Sequence, residues 1–167
     1  MGIFDRFKKK EKEVKTTERN VSKSKIVMVD QVYLLDVPED WNQFESDRFR
    51  MKNQKNTLQF SATNYGKELS KGGEYSISDL KPEIDDLFVK FEKEGDYEPI
   101  NDRINGKDFI YQAFKVDSET QYYFYTFRKA IGQLIRINFI IREVGEYKKS
   151  TSEKMLKIGD SIKIKVG

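Results

Sequence analysis

Alternation of apolar and polar side chains marks the strands of this chain most clearly in its second half. Over residues 133–142 the apolar side chains share one face and the polar side chains share the other: Ile135, Ile137, Phe139 and Ile141 against Arg136, Asn138 and Arg142. A period of two is typical of a strand with one buried face. Aromatic-rich segments at 107–116 and 122–130 precede it, with connections at 118–121 and 130–132. Together the three segments predict an antiparallel meander.

The first half of the folded body predicts a strand followed by a hairpin. Residues 26–37 are rich in β-branched and aromatic side chains and predict a strand that is interrupted near Asp30. Pro38 ends it, because proline cannot continue a central strand. Residues 49–52 and 58–63 alternate in polarity on either side of turn-forming residues, and therefore predict a hairpin.

Helical spacing occurs first at about residues 78–94. Its apolar side chains recur at intervals of three and four and form one stripe: Leu80, Ile84, Leu87, Phe88 and Phe91. Such a stripe is typical of a helix that faces a core. Ser78 or Asp79 is expected to cap the helix, and Pro82 is expected in its first turn, where proline is tolerated.

A second, shorter helix is predicted near the C-terminus. Ser150 and Glu153 have the spacing of a capping box, which satisfies the free N–H groups of a helix start. The apolar face of this helix would be formed by Met155, Ile158 and Ile162. Gly159 is expected to weaken the helix by about 1 kcal/mol relative to alanine.

The order strand, hairpin, helix, three-stranded meander, helix predicts an α+β fold. We expect an antiparallel sheet of about six strands with helices packed on it. The 167 residues suffice for one domain. Residues 25–167 are predicted to form that single domain, and residues 1–24 to form a basic amphipathic tail with a flexible linker.

The positive charge of the chain is concentrated in the tail. The formal net charge is +3, but residues 1–25 hold nine basic and four acidic side chains, so the remainder is slightly acidic. The tail offers a candidate membrane-contact set, in which three apolar residues share a helical face beside lysines: Ile3, Phe4, Phe7, Lys8, Lys9 and Lys10. Weak, reversible contact with an anionic membrane is one interpretation of the tail. The other is a disordered, solubilising leader.

Two missing residue types restrict the chemistry of the chain. It contains no histidine and no cysteine, so Ser-His and Cys-His nucleophile pairs and cysteine–zinc sites are excluded within it. We therefore expect no catalytic residue, no metal site and no cofactor. The chain has no apolar run of transmembrane length and no signal-peptide pattern, which predicts a cytoplasmic protein, in one interpretation peripheral at the inner membrane face.

Three segments of the chain resemble the PsbP-like fold group. They are the opening VYLLDVPEDW, the FRMKNQKNTLQFSATNYG hairpin and the closing SEKMLKIGDSIKI. The group includes the photosystem subunit PsbP, Ran-binding nuclear import factors and bacterial DcrB-type proteins, some of which are chaperones for secreted effectors. The likeness covers about residues 26–165 and implies a sandwich fold and a protein partner. It transfers no catalytic residue. Trp41, which follows Val37 and Pro38, is expected to be a core residue, and a ligand-stacking role is the alternative.

The candidate partner-binding surface is the polar face of the predicted meander. If helices cover only the opposite face, aromatic and basic side chains would line an open sheet: Tyr123, Tyr125, Arg136, Asn138 and Arg142. Tyrosine and arginine are typical anchors of protein interfaces. Stacking of single-stranded nucleic acid on these aromatics is an alternative, disfavoured by the lack of a basic body.

These observations favour a non-enzymatic protein-binding module, adaptor-like or chaperone-like, whose partner is another protein. One alternative is a membrane-surface or single-stranded nucleic-acid-binding protein. Another is a carboxylate- or magnesium-dependent enzyme, for which Glu83, Asp85 and Asp86 are the acidic cluster. Negative charge at a helix start, however, is expected for helix stability alone.

Overall fold

The computed structural model describes residues 23–68, 77–130 and 133–165, which form eleven strands and two helices. In chain order the strands are β1 Ser24–Val29, β2 Tyr33–Pro38, β3 Asn42–Gln43, β4 Phe49–Lys52, β5 Leu58–Glu68, β6 Glu98–Pro99, β7 Ile104–Asn105, β8 Phe109–Val116, β9 Glu119–Ala130, β10 Gln133–Val144 and β11 Lys163–Ile164. The helices are α1 Ile77–Lys93 and α2 Lys149–Asp160. Neither has the length and apolar character needed to cross a membrane.

The strands form two antiparallel sheets. The larger sheet has the order β3-β4-β5-β10-β9-β8-β6, with β7 also paired to β8, and the smaller has the order β1-β2-β11. The predicted α+β class, the β4–β5 hairpin and the β8–β9–β10 meander are confirmed. The prediction of about six strands was too low for the described residues. Two-residue strands such as β3 and β6 are too short to show a period in the sequence.

The first core lies between the two sheets. Ile137, Phe139 and Ile141 of β10 are fully buried there, as their alternation predicts. They pack in one cluster with side chains from β2, β5 and α2. Trp41 is buried against Phe60, with ring centroids 5.5 Å apart, which confirms its expected place in the core.

The second core lies on the opposite face of the larger sheet, under α1. Leu80, Ile84 and Phe88 are buried against side chains of β8 and β9. Arg103 holds the helix from the loop between β6 and β7, because its guanidinium pairs with Asp85 and lies 4.7 Å from the ring centre of Phe88. The domain therefore has three layers: α1, the larger sheet, and the smaller sheet with α2.

Two details of the helix ends differ from the sequence prediction. Helix α1 begins at Ile77, so Pro82 is its sixth residue and lies in the second turn. Helix α2 has no capping box, because its N-cap is Lys148, whose side chain makes no capping bond. Ser150 already lies inside that helix, one residue after Lys149, so its side chain does not occupy the N-cap position that the box requires.

Gly159 has a packing role that helix propensity did not reveal. A Cβ at this position would lie 2.2 Å from the nearest ring carbon of Phe124. The missing side chain lets α2 approach β9 closely, and both residues are buried.

We therefore expect Gly159→Ala to destabilise the protein by about 1–3 kcal/mol, the cost of overpacking a core. This is the opposite sign to the gain that helix propensity alone would give. Urea unfolding of the variant measures it, with Lys157→Ala on the exposed side of the same helix as the control. A Gly159→Ala variant as stable as the wild type would show that the helix shifts at no cost.

Candidate functional site

The sheet face proposed as an open partner surface is largely covered. Tyr123 and Tyr125 are 5% and 4% exposed, because α1 packs over them. Phe88 of α1 makes edge contacts with both rings, with centroids 6.3 and 5.9 Å apart. The expectation of an uncovered face was therefore wrong at these two positions, since a second helical layer lies on it.

Arg136, a polar member of that set, attaches α1 to the sheet. Arg136 and Asn138 do share the face of Tyr125, as alternation predicts. The guanidinium of Arg136 donates to Glu83 of α1 at 2.7 Å and lies 4.7 Å from the ring centre of Tyr65. Asn138 is half-buried beside them. Arg136 therefore has a structural role, because it links α1 to the larger sheet.

Arg142 is the one exposed member of the predicted set. Its guanidinium donates to Glu119 of the neighbouring strand at 2.9–3.0 Å. Beside it lies a small depression of about 40 Å³, to which Arg50 and Ser61 also contribute. The predicted surface thus separates into a buried tyrosine pair, Arg136 paired with α1, the half-buried Asn138 and one surface arginine.

The acidic cluster of Glu83, Asp85 and Asp86 lies in the middle of α1 and not at its start, and two of its members are engaged in ion pairs. Asp85 pairs with Arg103 and with Lys81, and Glu83 pairs with Arg136. Among residues 23–68, 77–130 and 133–165, no group of three or more acidic side chains is arranged to hold a metal ion. The candidate tail set of Ile3, Phe4, Phe7, Lys8, Lys9 and Lys10 lies outside the described residues.

Strand β1 is an open sheet edge that is six residues long and pairs only with β2. The outermost strands β3, β6, β7 and β11 have only two residues each, and among the described pairings residues 63–68 of β5 also lack a partner on the side away from β10. Short strands protect a sheet edge, because they offer few unpaired backbone groups to another chain. Strand β1 lacks this protection.

The register of β1 shows which of its backbone groups face outward. The N–H of Glu39 donates to the carbonyl of Lys23 at 2.9 Å, which fixes this as a hydrogen-bonded pair. Hydrogen-bonded pairs alternate along an antiparallel ladder, so the backbone groups of every second residue point away from β2. The outward groups are those of Ser24, Ile26 and Met28.

The same residues carry exposed side chains. Ile26 is 71% exposed and Met28 is 44% exposed, on the outer face of the smaller sheet. Directly beside Met28 on that face lies the half-buried Leu34 of β2. On the inner face Val29 is buried in the first core, and Lys25 bonds the carbonyl of Trp41. The edge therefore combines free backbone groups with exposed apolar side chains.

A groove of about 470 Å³ runs beside the C-terminal half of β1. One wall is formed by Met28 and the following turn, and the other by residues 43–49, which include β3, the start of β4 and the loop between them. Its volume falls in the range of about 300–1,000 Å³ that is usual for ligand sites. The groove and the free edge are continuous, because Met28 belongs to both.

The charged side chains of the groove are mostly acidic. Asp30, Glu45 and Asp47 line it, and Arg48 is the single cationic residue of the lining. The hydroxyl of Ser46 donates to Asp47 at 2.9 Å, and this bond, with Arg48 nearby, lowers the pKa of the Asp47 carboxyl.

The turn that closes the groove has an unusual backbone. Asp30 and Gln31 have φ values of 47° and 60°, in the left-handed region that few non-glycine residues adopt. The Nδ2 of Asn64 in β5 donates to the Asp30 carboxylate at 2.7 Å and holds the turn against the larger sheet. This contact fixes the carboxylate at the groove's end.

Sequence reasoning identified β1 as a strand and missed its role as an edge. Its apolar residues have the same pattern as those of a strand covered on both sides. One signal was present in the sequence, namely the run IVMV immediately after a polar linker. A run of this kind does not reveal how many neighbours a strand has.

Comparison with known proteins gives only a coarse likeness. No family model and no curated protein matches the chain. Among solved structures, one from Bacteroides thetaiotaomicron has a TM-score of 0.46 at 11% identity, covering 80% of this chain and 45% of that one. This chain therefore spans less than half of that protein. A mutant of the protein Mog1 has a TM-score of 0.49 at 9% identity, covering 85% of this chain and 96% of that one.

Proposed function

We propose that the protein is a non-enzymatic protein-binding module that captures an extended polypeptide segment along the free edge of β1. The observation that carries the proposal is the coincidence of outward backbone groups and exposed apolar side chains at Ile26 and Met28. Addition of a strand to an open sheet edge is a recurring mode of peptide recognition. Main-chain hydrogen bonds provide affinity in that mode, and side-chain pockets provide specificity.

The chemistry of the chain supports binding over catalysis. It offers no histidine or cysteine, and two of the three clustered carboxylates of α1, Glu83 and Asp85, are engaged in ion pairs with basic side chains. The groove beside β1 is open and shallow enough for a chain segment to lie along it. A capture role of this kind agrees with an adaptor-like or chaperone-like protein.

A site-specific cross-linker tests the proposal in cells of the source organism. A photoreactive phenylalanine at position 28 should form discrete adducts with another protein. The same residue at position 144 is the control, because Val144 is 62% exposed but lies on β10, away from the β1 edge. Ile26→Pro in the position-28 protein should abolish the adducts, because proline removes an outward N–H.

The variant Ile26→Pro keeps the hydrogen bonds between β1 and β2, since residue 26 does not donate to β2. Its thermal melt should therefore remain close to that of the wild type. Adducts that form equally at position 144, or that persist unchanged in a folded Ile26→Pro protein, would contradict capture at this edge.

A further inference from the structure

We infer that the segment captured by β1 alternates apolar residues with basic residues. This inference rests on the proposed function and specifies the chemistry of its partner. It follows from two surfaces, both of which an added strand would contact. One is the exposed apolar pair Ile26 and Met28 on the outer face of β1, and the other is the acidic groove beside the β1 edge.

The outer face selects apolar side chains. A strand added to β1 would place alternate side chains on the same face as Ile26 and Met28. Cross-strand neighbours on one face lie about 4.5–5.5 Å apart, so these side chains would cover both exposed residues. Leu34 extends the apolar row on the far side of Met28.

The groove selects basic side chains. The remaining side chains of the added strand would point to the inner side, towards the space between β1 and residues 43–49. The carboxylates of Asp30, Glu45 and Asp47 line that space. Arg48, the one cation of the lining, lies 3.7 Å from Asp47, and Arg50 also acts on that carboxyl, so the two arginines offset part of the negative charge.

The aromatic lining of the groove also fits long basic side chains. Phe44 is half-buried in the groove wall, and the ammonium of Lys52 lies 5.6 Å from the centre of its ring. The ring therefore already has one cation of the protein itself, Lys52, in contact with it. Lysine and arginine stems can pack on such apolar surface while their charged ends reach carboxylates.

Three labelled ten-residue peptides test the inference by fluorescence polarisation with the full chain. The first alternates isoleucine with lysine, and the second alternates isoleucine with glutamate. The third has the composition of the first in a non-alternating order. We expect the alternating lysine peptide to bind about tenfold or more tightly than either of the others, with the preference over the glutamate peptide decreasing at high salt.

Two double variants, each of which removes two negative charges, test whether the preference for the lysine peptide arises in the groove. Glu45→Gln with Asp47→Asn should remove most of the preference for lysine over glutamate. Glu92→Gln with Asp96→Asn, which alters exposed residues at the far end of α1, should leave it unchanged.

The outcomes separate the inference from the proposed function. If the lysine and glutamate peptides bind equally and both lose affinity in Ile26→Pro, β1 captures strands but the basic specificity is refuted. The specificity is also refuted if the scrambled lysine peptide binds as tightly as the alternating one. If no peptide binds, or if Ile26→Pro binds as the wild type does, the capture function itself is contradicted.

Discussion

Raising the pH from 9 to 12 is expected to unfold the protein cooperatively. Five tyrosines are at most 5% exposed, and burial raises the pKa of each hydroxyl well above its usual value of about 10: Tyr33, Tyr111, Tyr122, Tyr123 and Tyr125. The unfolded chain loses these protons near pH 10, whereas the folded chain keeps them. Their contribution to stability is therefore complete below pH 10 and is lost as the pH rises above it.

The expected effect is larger than that of any single substitution. Each protonated tyrosine that ionises on unfolding changes the free energy of unfolding by about 1.4 kcal/mol per pH unit. Five such residues give about 7 kcal/mol per unit above pH 10, against a typical total stability of about 5–15 kcal/mol. Unfolding should consequently be complete within about two pH units.

Absorbance at 295 nm and circular dichroism, followed together, measure this transition. Tyr65 is exposed, so Tyr65→Phe is the control and should leave the unfolding pH unaltered. The buried tyrosines should ionise in the same step in which the dichroism is lost. Ionisation of all tyrosines near pH 10 with an intact dichroism spectrum would contradict their burial.

Phe88→Ala is expected to destabilise the protein by about 3–5 kcal/mol. Phe88 is 1% exposed and lies at the centre of the second core. Its ring contacts Phe114 at 5.2 Å and Tyr125 at 5.9 Å between centroids, and the guanidinium of Arg103 lies over it. Truncation leaves a cavity and removes the ring under that guanidinium, which keeps its ion pair with Asp85, so α1 loses a central part of its packing on the sheet.

Urea unfolding compares this variant with Val89→Ala, whose side chain is 46% exposed on the same helix. The control should change the stability by less than about 0.5 kcal/mol. Near-ultraviolet dichroism should also report the loosening of Tyr123 and Tyr125 in Phe88→Ala. A loss below 1 kcal/mol would mean that α1 does not form a core with the sheet.

Local patterns in the sequence predicted the strands and helices well, because each depends on its own residues. The alternation around Phe139 predicts that one face of its strand is buried, and the stripe through Phe88 predicts the same for its helix. The same patterns contain no information on what covers a face. Tyr123 and Tyr125 therefore seemed available to a partner, although the predicted helix α1 lies on them.

Two further features depend on contacts between distant parts of the chain. Gly159 is unfavourable by helix propensity. The reason for a glycine here is the ring of Phe124, which leaves no room for a Cβ and which the local sequence does not reveal. The free edge of β1 depends on the sheet order, which the sequence of Ile26 and Met28 does not specify. For this reason the candidate site had to be found in the structure.

Residue-resolved amide hydrogen exchange on the complex with the alternating lysine peptide tests capture by β1 most directly. Without peptide, the amides of residues 25, 27 and 29 should already be slow, because they face β2, and those of residues 24, 26 and 28 should exchange quickly. Capture at the edge predicts that the peptide selectively slows residues 24, 26 and 28. Protection of other regions, with these three amides still exchanging quickly, would contradict a strand added to β1.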